Sequence, residues 1–233
     1  MLIKVKRFLP YFSYFLFWIL VFIIYRATFL LYHFHLTREL DLSVIALTFL
    51  YGMRMDASFS AYICIFPFIL LGIKMLSPRF RVRRIVRVYS IILILILSFI
   101  SVADLELYTA WGYRMDATPL QYFKSPREMI ATVSSAPVLI LLVIFLLLNV
   151  ILIYLLQFFN RRMIVTNSRN KILYGIVGIF MIALLFIPIR GGIQKIPLNI
   201  SDVYFTDEIY ADHAAINLPW NVMFSILNRN NGD

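Results

Sequence analysis

The chain is short of charge, cysteine and linker-like sequence. Only 15% of its 233 residues are charged, whereas soluble domains carry about 25%. Hydrophobic residues make up 62% and the mean hydropathy is +0.85, which excludes an ordinary soluble domain and predicts an all-α polytopic membrane protein. Cys64 is the only cysteine, so a disulfide within the chain is impossible. Low-complexity tracts and Gly/Ser linkers are also absent.

Acidic residues are missing from three basic segments. Residues 1–7, 74–87 and 161–171 hold 13 of the 22 basic residues and none of the 12 acidic ones. By the positive-inside rule these segments are cytoplasmic, which places the N-terminus inside and the C-terminus outside. The net charge of +10 is therefore interpreted as a topology signal that also attracts anionic lipid, and no nucleic-acid partner is predicted.

The apolar runs predict a transmembrane domain, residues 1–189, and an exoplasmic linker, residues 190–233. Five spans are expected, at about residues 8–31, 55–73, 88–102, 137–159 and 172–189. Short interfacial helices are predicted over 42–51 and in the loop 107–134. In that loop Thr118-Pro119 and Ser125-Pro126 have the pattern of capped helix starts. Tyrosines near the span ends, among them Tyr11, Tyr14 and Tyr25, are expected in the interfacial aromatic belt.

One charged octapeptide occurs twice. Tyr51-Gly-Met-Arg-Met-Asp-Ala-Ser58 recurs sixty positions later as Trp111-Gly-Tyr-Arg-Met-Asp-Ala-Thr118. Ionisable groups at membrane depth must be paired or hydrated, so each copy needs partners. The predicted topology brings both copies to the outer leaflet, level with three other charged residues. The expected ion-pair or lipid-headgroup cluster is Arg26, Arg54, Asp56, Asp104, Glu106, Arg114 and Asp116.

Two interpretations of this cluster are open. Arg54 and Asp56 lie two positions apart, so on one helix they cannot pair with each other. Each then takes a partner from another span or a ligand, and a phospholipid headgroup suits the fork of an arginine. Alternatively, Asp56 and Asp116 cap the helices that follow, and the arginines reach non-specifically to headgroups. The octapeptide match also suggests that spans one and two are a diverged repeat of spans three and four.

No catalytic or metal-binding motif is recognisable. His33 and His35 are spaced like a pair of ligands, but no third ligand lies near them in the sequence. No catalytic residue, metal ligand or cofactor site is therefore predicted within this chain.

A family resemblance rests on four short motifs behind the five spans. They are Gly52-x-Arg54-x-Asp56, Trp111-Gly112-x-Arg114, Pro197-Leu198-Asn199 and Asn217-x-x-Trp220-Asn221. With them the chain resembles the membrane half of lipoteichoic-acid-synthase-like proteins, which are phosphoglycerol transferases of the alkaline phosphatase and sulfatase superfamily. It looks most like their sulfatase-type members.

The resemblance implies the multi-pass membrane anchor of a bacterial envelope enzyme in the cytoplasmic membrane. An exoplasmic catalytic domain with a divalent metal would follow the tail, and no residue here matches its nucleophile or ligands. The chain would anchor that domain and present a donor phospholipid, for which Arg54 and Arg114 are the predicted contacts. The alternative is a free-standing, non-catalytic scaffold or transport component. The tail is expected to separate the two, since a free-standing protein should have a docked tail and an anchor's tail should be loose.

Overall fold

The computed structural model describes residues 8–76, 81–118, 137–162, 171–193 and 197–229. Helices dominate this part of the chain, and no strand occurs in it. The elements, in chain order, are α1 (Leu9–Tyr32), α2 (Phe34–Thr37), α3 (Leu42–Leu76), α4 (Val82–Trp111), α5 (Val138–Arg162), α6 (Lys171–Leu184), α7 (Phe186–Ile189), a 3₁₀ helix (Ile200–Val203), α8 (Ile209–Ala215) and α9 (Leu218–Arg229).

Four of the described helices, α1, α3, α4 and α5, are long and apolar enough to cross a membrane. The apolar stretch Gly175–Ile189 is shorter than a span and is interrupted by a turn at Leu185. The prediction of a helical multi-pass membrane protein is therefore confirmed in its general form. A fifth crossing and the orientation of the chain stay predictions.

α1 has one face buried in the bundle and one face exposed. It packs against α3 and α5, while α6 packs against α3 and α4 against α5. Its aromatic side chains Tyr11, Tyr14, Phe17 and Trp18 are fully buried. The Tyr14 hydroxyl forms a 2.9 Å hydrogen bond with the Ser90 hydroxyl of α4. This bond aligns the two helices along their length. Tyr11, Tyr14 and Tyr25 are core residues, so their expected place in an interfacial belt is wrong.

The second predicted span was wrong at its start. Residues 42–51 and 55–73 belong to one continuous helix, α3, which passes through the first octapeptide and through Pro67 without ending. A single glycine costs a helix only about 1 kcal/mol, so Gly52 does not break it. The charged residues of the octapeptide find partners in other segments. A helix break that would expose them to water is therefore not needed.

The third predicted span, residues 88–102, is shorter than the helix that contains it. α4 begins six residues before the predicted 88 and continues past 102, so that Asp104 and Glu106 lie inside the helix. α4 ends where Gly112 adopts a left-handed conformation, φ 73°, as glycine commonly does after a helix. The predicted helix starts at Pro119 and Ser125 lie outside the described residues.

The helices alternate in direction and so define two ends. We call the end that carries Arg26, Asp56, Asp104 and Arg114 the polar end. The opposite end, where α1 and α4 begin, is called the basic end. The tail, residues 197–229, folds over the polar end. Its 3₁₀ helix, α8 and α9 all pack against α3.

Candidate functional site

The centre of the polar end is a buried ion pair between α1 and α3. Arg26 donates from Nη1 to Asp56 Oδ2 at 2.6 Å and from Nη2 to Asp56 Oδ1 at 2.9 Å. Arg26 is 4% exposed and Asp56 is fully buried. Two parallel bonds of this kind are the strong, geometrically specific form of an arginine–carboxylate contact. Asp56 lies in the interior of α3, so the interpretation of Asp56 as a helix cap is wrong.

The tail supplies the remaining partners of this pair. Arg26 Nε donates to the carbonyl of Ala214 at 3.0 Å, and Nη2 donates to the carbonyl of Ala215 at 3.1 Å. These two carbonyls end α8, where unpaired acceptors and the negative end of the helix dipole favour a cation. Asn217 Nδ2 donates to Asp56 Oδ1 at 2.9 Å. The pair and the tail therefore form one hydrogen-bonded unit.

Asn217 also determines the shape of the tail. It stands at the break between α8 and α9, and its Oδ1 accepts the backbone N–H of Trp220 at 3.0 Å, as a capping residue does. Trp220 is 3% exposed, and its Nε1 donates to Ser58 Oγ at 3.2 Å. Ser58 in turn donates to the carbonyl of Ile189 at 3.0 Å. The tail is thus attached to α3 at Asp56 and at Ser58, two residues further along the helix.

Gly52 permits the close approach of these groups. A Cβ atom at this position would lie 2.2 Å from Arg26 Nη2 and 2.5 Å from the carbonyl oxygen of Ala215. No side chain fits between α3 and the tail there. The glycine of the first octapeptide is therefore needed for contact, whereas Gly112 of the second copy is needed for its backbone conformation.

A second buried ion pair lies beside the first. Arg114 Nη1 is 3.1 Å from Asp104 Oδ2, and the guanidinium lies 4.0 Å from the ring centre of Phe29. Asp104 Oδ1 also accepts the backbone N–H of Met115 at 2.7 Å, which holds the second octapeptide against α4. Burial lowers the pKa of Arg114 and the Asp104 carboxylate opposes this, but a guanidinium stays protonated in proteins.

The tail reaches this second pair as well. Asn221 Nδ2 donates to the carbonyl of Met115 at 2.9 Å. Near Arg114, the Tyr108 hydroxyl and His213 Nδ1 form a hydrogen bond of 3.2 Å. The Tyr210 hydroxyl forms a second one, of 2.7 Å, with the Thr37 hydroxyl. Burial, and then the charge of Arg114, lower the pKa of His213. An aromatic and polar shell contributed by α1, α4 and α8 thus surrounds the guanidinium.

The other three predicted residues lie outside this network. Glu106 accepts a hydrogen bond from the Tyr32 hydroxyl. Arg54 is half-buried and donates to the carbonyl of Asp202 at 3.4 Å. Asp116 accepts the backbone N–H of Thr118 at 2.7 Å, a local bond that fits the capping interpretation at this one position.

The structure brings together Arg26, Asp56, Asp104 and Arg114 and adds residues that the charged motifs did not indicate. Asn217, Trp220 and Asn221 are the most important of these. Their motif belongs to the family resemblance, and an amide followed by Leu-Pro-Trp also has the form of a helix start. Phe29, Tyr108 and Tyr210 had no sequence signal beyond being aromatic.

The site holds no metal-ligand set in the described part of the chain, where no three of His, Cys, Asp and Glu are close enough to hold an ion. His33 Nδ1 and Nε2 lie 3.1 Å from the carbonyls of Phe29 and Leu105. These contacts account for His33 as a structural residue between α1 and α4.

Comparison of the chain with models of protein families, with curated proteins and with solved structures gave no match. Fold and site therefore define its class: a helical multi-pass membrane protein with two buried ion pairs under a docked tail.

Proposed function

We propose that this chain is the membrane anchor of a sulfatase-like or phosphoglycerol-transferase-like envelope enzyme, and that its polar end is a rigid mount. The buried pair of Arg26 and Asp56 would hold the tail, and with it a catalytic domain, in one position above the membrane. The tail, expected to be loose in an anchor, is instead bonded to that pair through Ala214, Ala215 and Asn217, and this observation carries the proposal of a rigid mount.

The contacts among the resemblance motifs support the proposal. Gly52 and Asp56 come from the first motif, Arg114 from the second, Leu198 from the third and Asn217 from the fourth. In the fold, Leu198 and Trp220 belong to one buried cluster with Met55, and Asn217 bonds Asp56. Motifs scattered over about 170 residues therefore have a common structural task, which is to seat the tail on the bundle.

In this proposal the chain itself has no catalytic residue. The reaction, its divalent metal and its nucleophile would belong to the exoplasmic domain, and the membrane in question would be the bacterial cytoplasmic membrane. Donor phospholipid would be presented at the polar end. Arg114 is 8% exposed and is occupied by Asp104 and Phe29, so we assign the headgroup contact to Arg54 alone.

A second candidate function is a free-standing membrane scaffold. One observation favours it, because a docked tail was the feature expected of a protein that acts alone. In this case the polar end would be a closed cap, and the aromatic surface around Tyr51 and Phe205, whose rings stack at 4.8 Å, would face a partner.

The first experiment is the mass of the native product, detected in its own membranes with an antibody against residues 107–134. The anchor proposal predicts a band far above 27.3 kDa, since a catalytic domain would be joined to the chain. A band at 27.3 kDa would exclude the anchor and leave the scaffold.

The second experiment tests the mount in the native enzyme. Asn217→Ala removes the bond to Asp56 and the cap of α9, while Asn228→Ala makes the same chemical change on an exposed residue. Turnover of phospholipid donor should fall about tenfold or more in the first variant, because a misplacement of about 1 Å can cost about a hundredfold. The amount in the membrane should not change. Equal turnover in both variants would show that the mount does not position anything.

A further inference from the structure

A second feature of the bundle is formed by residues that take no part in the ion pairs. A groove of about 460 Å³ runs between α1 and the segment formed by α6 and α7, toward the basic end. Its lining includes Phe12 and Phe15 of α1, Leu184 and Ile187 of α6 and α7, and Phe68 of α3. The walls are apolar side chains, and Phe12, 60% exposed, stands at the mouth.

The groove opens toward the surroundings of the bundle, which in a membrane are lipid acyl chains. It opens on the outer surface of α1, a helix long and apolar enough to span a bilayer. In hydrocarbon a groove lined in this way has contact with lipid chains and not with water. Its lining gains dispersion contacts only if a chain fills it.

The volume fits one acyl chain. A cavity of about 150 Å³ holds a benzene ring, so the groove has room for about three such rings, or about eighteen carbon atoms. A chain of this size is one tail of a common phospholipid, and a helix would be too wide to enter.

The positive charge of the basic end favours an anionic headgroup. The Tyr14–Ser90 bond sets the first turns of α4 level with the first turns of α1, where the groove begins. Arg83, Arg84 and Arg87 are exposed there. Each such residue near a membrane surface strengthens binding of anionic lipid about fivefold.

We propose that this groove binds one acyl chain of an anionic phospholipid whose headgroup lies among the basic residues of the basic end. This site is separate from the polar end and does not depend on the function proposed for it. Both leaflets would then contact the protein in different ways, the polar end through a paired, closed network and the basic end through a bound lipid.

The test uses the full chain in phosphatidylcholine vesicles that contain a small share of phosphatidylglycerol with a diazirine in its acyl chain. After illumination, mass spectrometry should find the label on peptides of α1, α6 and α7. Leu184→Trp should lower this label by about a third, because an indole takes at least the space of a benzene ring, about a third of the groove. Leu95→Trp is the control, since Leu95 is 41% exposed on α4 and Leu184 is 44% exposed.

A second variant and a second lipid complete the test. Ile187→Trp fills the same groove from α7 and should have the effect of Leu184→Trp, while gel filtration checks that all variants remain folded. The same diazirine chain on phosphatidylcholine should label about fivefold less per lipid. Label spread evenly over α4, α5 and the groove, or equal labelling by the two lipids, would overturn the proposal. So would a dimer that Leu184→Trp abolishes, because the groove would then hold a second copy of the chain.

Discussion

The two copies of the octapeptide provide their own control for the central ion pair. Asp56 and Asp116 occupy the same position in the repeated sequence, yet their surroundings differ. Asp56 is fully buried and accepts two bonds from Arg26 and one from Asn217. Asp116 is half-exposed and accepts one local backbone bond from Thr118. The same substitution at the two positions should therefore have very different effects.

Asp56→Ala should lower the free energy of unfolding by about 3–5 kcal/mol, because it leaves the Arg26 guanidinium buried without its counter-charge. The two carbonyls of Ala214 and Ala215 remain as its partners, so the change should not abolish folding. Asp116→Ala should cost about 0.5–1.5 kcal/mol, the usual net value of one hydrogen bond. The measurement is unfolding by sodium dodecyl sulfate in mixed micelles, followed by circular dichroism.

A double variant separates loss of the pair from loss of one charge. Arg26→Met with Asp56→Leu removes both charges and should be less destabilised than Asp56→Ala alone, since apolar replacements of buried pairs are often near neutral. Part of the loss should remain, because the two carbonyls at the end of α8 lose their donor. Similar losses of stability for Asp56→Ala and Asp116→Ala would refute the reasoning. So would a double variant that is less stable than Asp56→Ala.

Two further predictions concern close contact and pH. Gly52→Ala should destabilise the fold by several kcal/mol, because the new Cβ would meet the guanidinium of Arg26 at 2.2 Å, whereas Gly112→Ala has open space and should cost about 1–2 kcal/mol for its left-handed backbone. Both are checked by the same unfolding assay, and a larger loss at Gly112 would contradict the first. Burial lowers the pKa of His33 and of His213, so both bind protons more weakly in the folded chain than in the unfolded chain. Stability should be full above about pH 6.5 and fall as the pH drops below that value, and a variant with glutamine at both positions should have a flatter pH profile; an unchanged profile would refute this.

Much of the transmembrane architecture could be predicted because it depends on local composition. Apolar length identified α1 and α5 within three residues at each end, and the charged residues that need partners were recognised as such. The break predicted before Asp56 was wrong because helix continuity there depends on partners that are distant in sequence. Arg26 is 30 positions from Asp56, and the carbonyl that Arg26 bonds belongs to Ala214, 188 positions away.

The site was predicted only in part for the same reason. A pattern of charges indicates which side chains need a partner, and it identified Arg26, Asp56, Asp104 and Arg114. It does not indicate that backbone carbonyls at the end of a short helix will be among the partners. It also cannot distinguish a glycine used for close contact from one used for its positive φ, and Gly52 and Gly112 occupy the same place in one repeated motif.

The distance along the chain between Arg26 and the tail has a consequence for biogenesis. During synthesis α1 and α3 enter the membrane long before α8 exists, and the pair of Arg26 and Asp56 can already neutralise their charges as a hairpin. The carbonyls of Ala214 and Ala215 and the amide of Asn217 arrive only 188 residues or more after Arg26. Until then the pair lacks the acceptors of α8 and the amide of Asn217. Docking of the tail supplies these partners, so the hydrogen bonds of the pair are completed in two separate stages of synthesis.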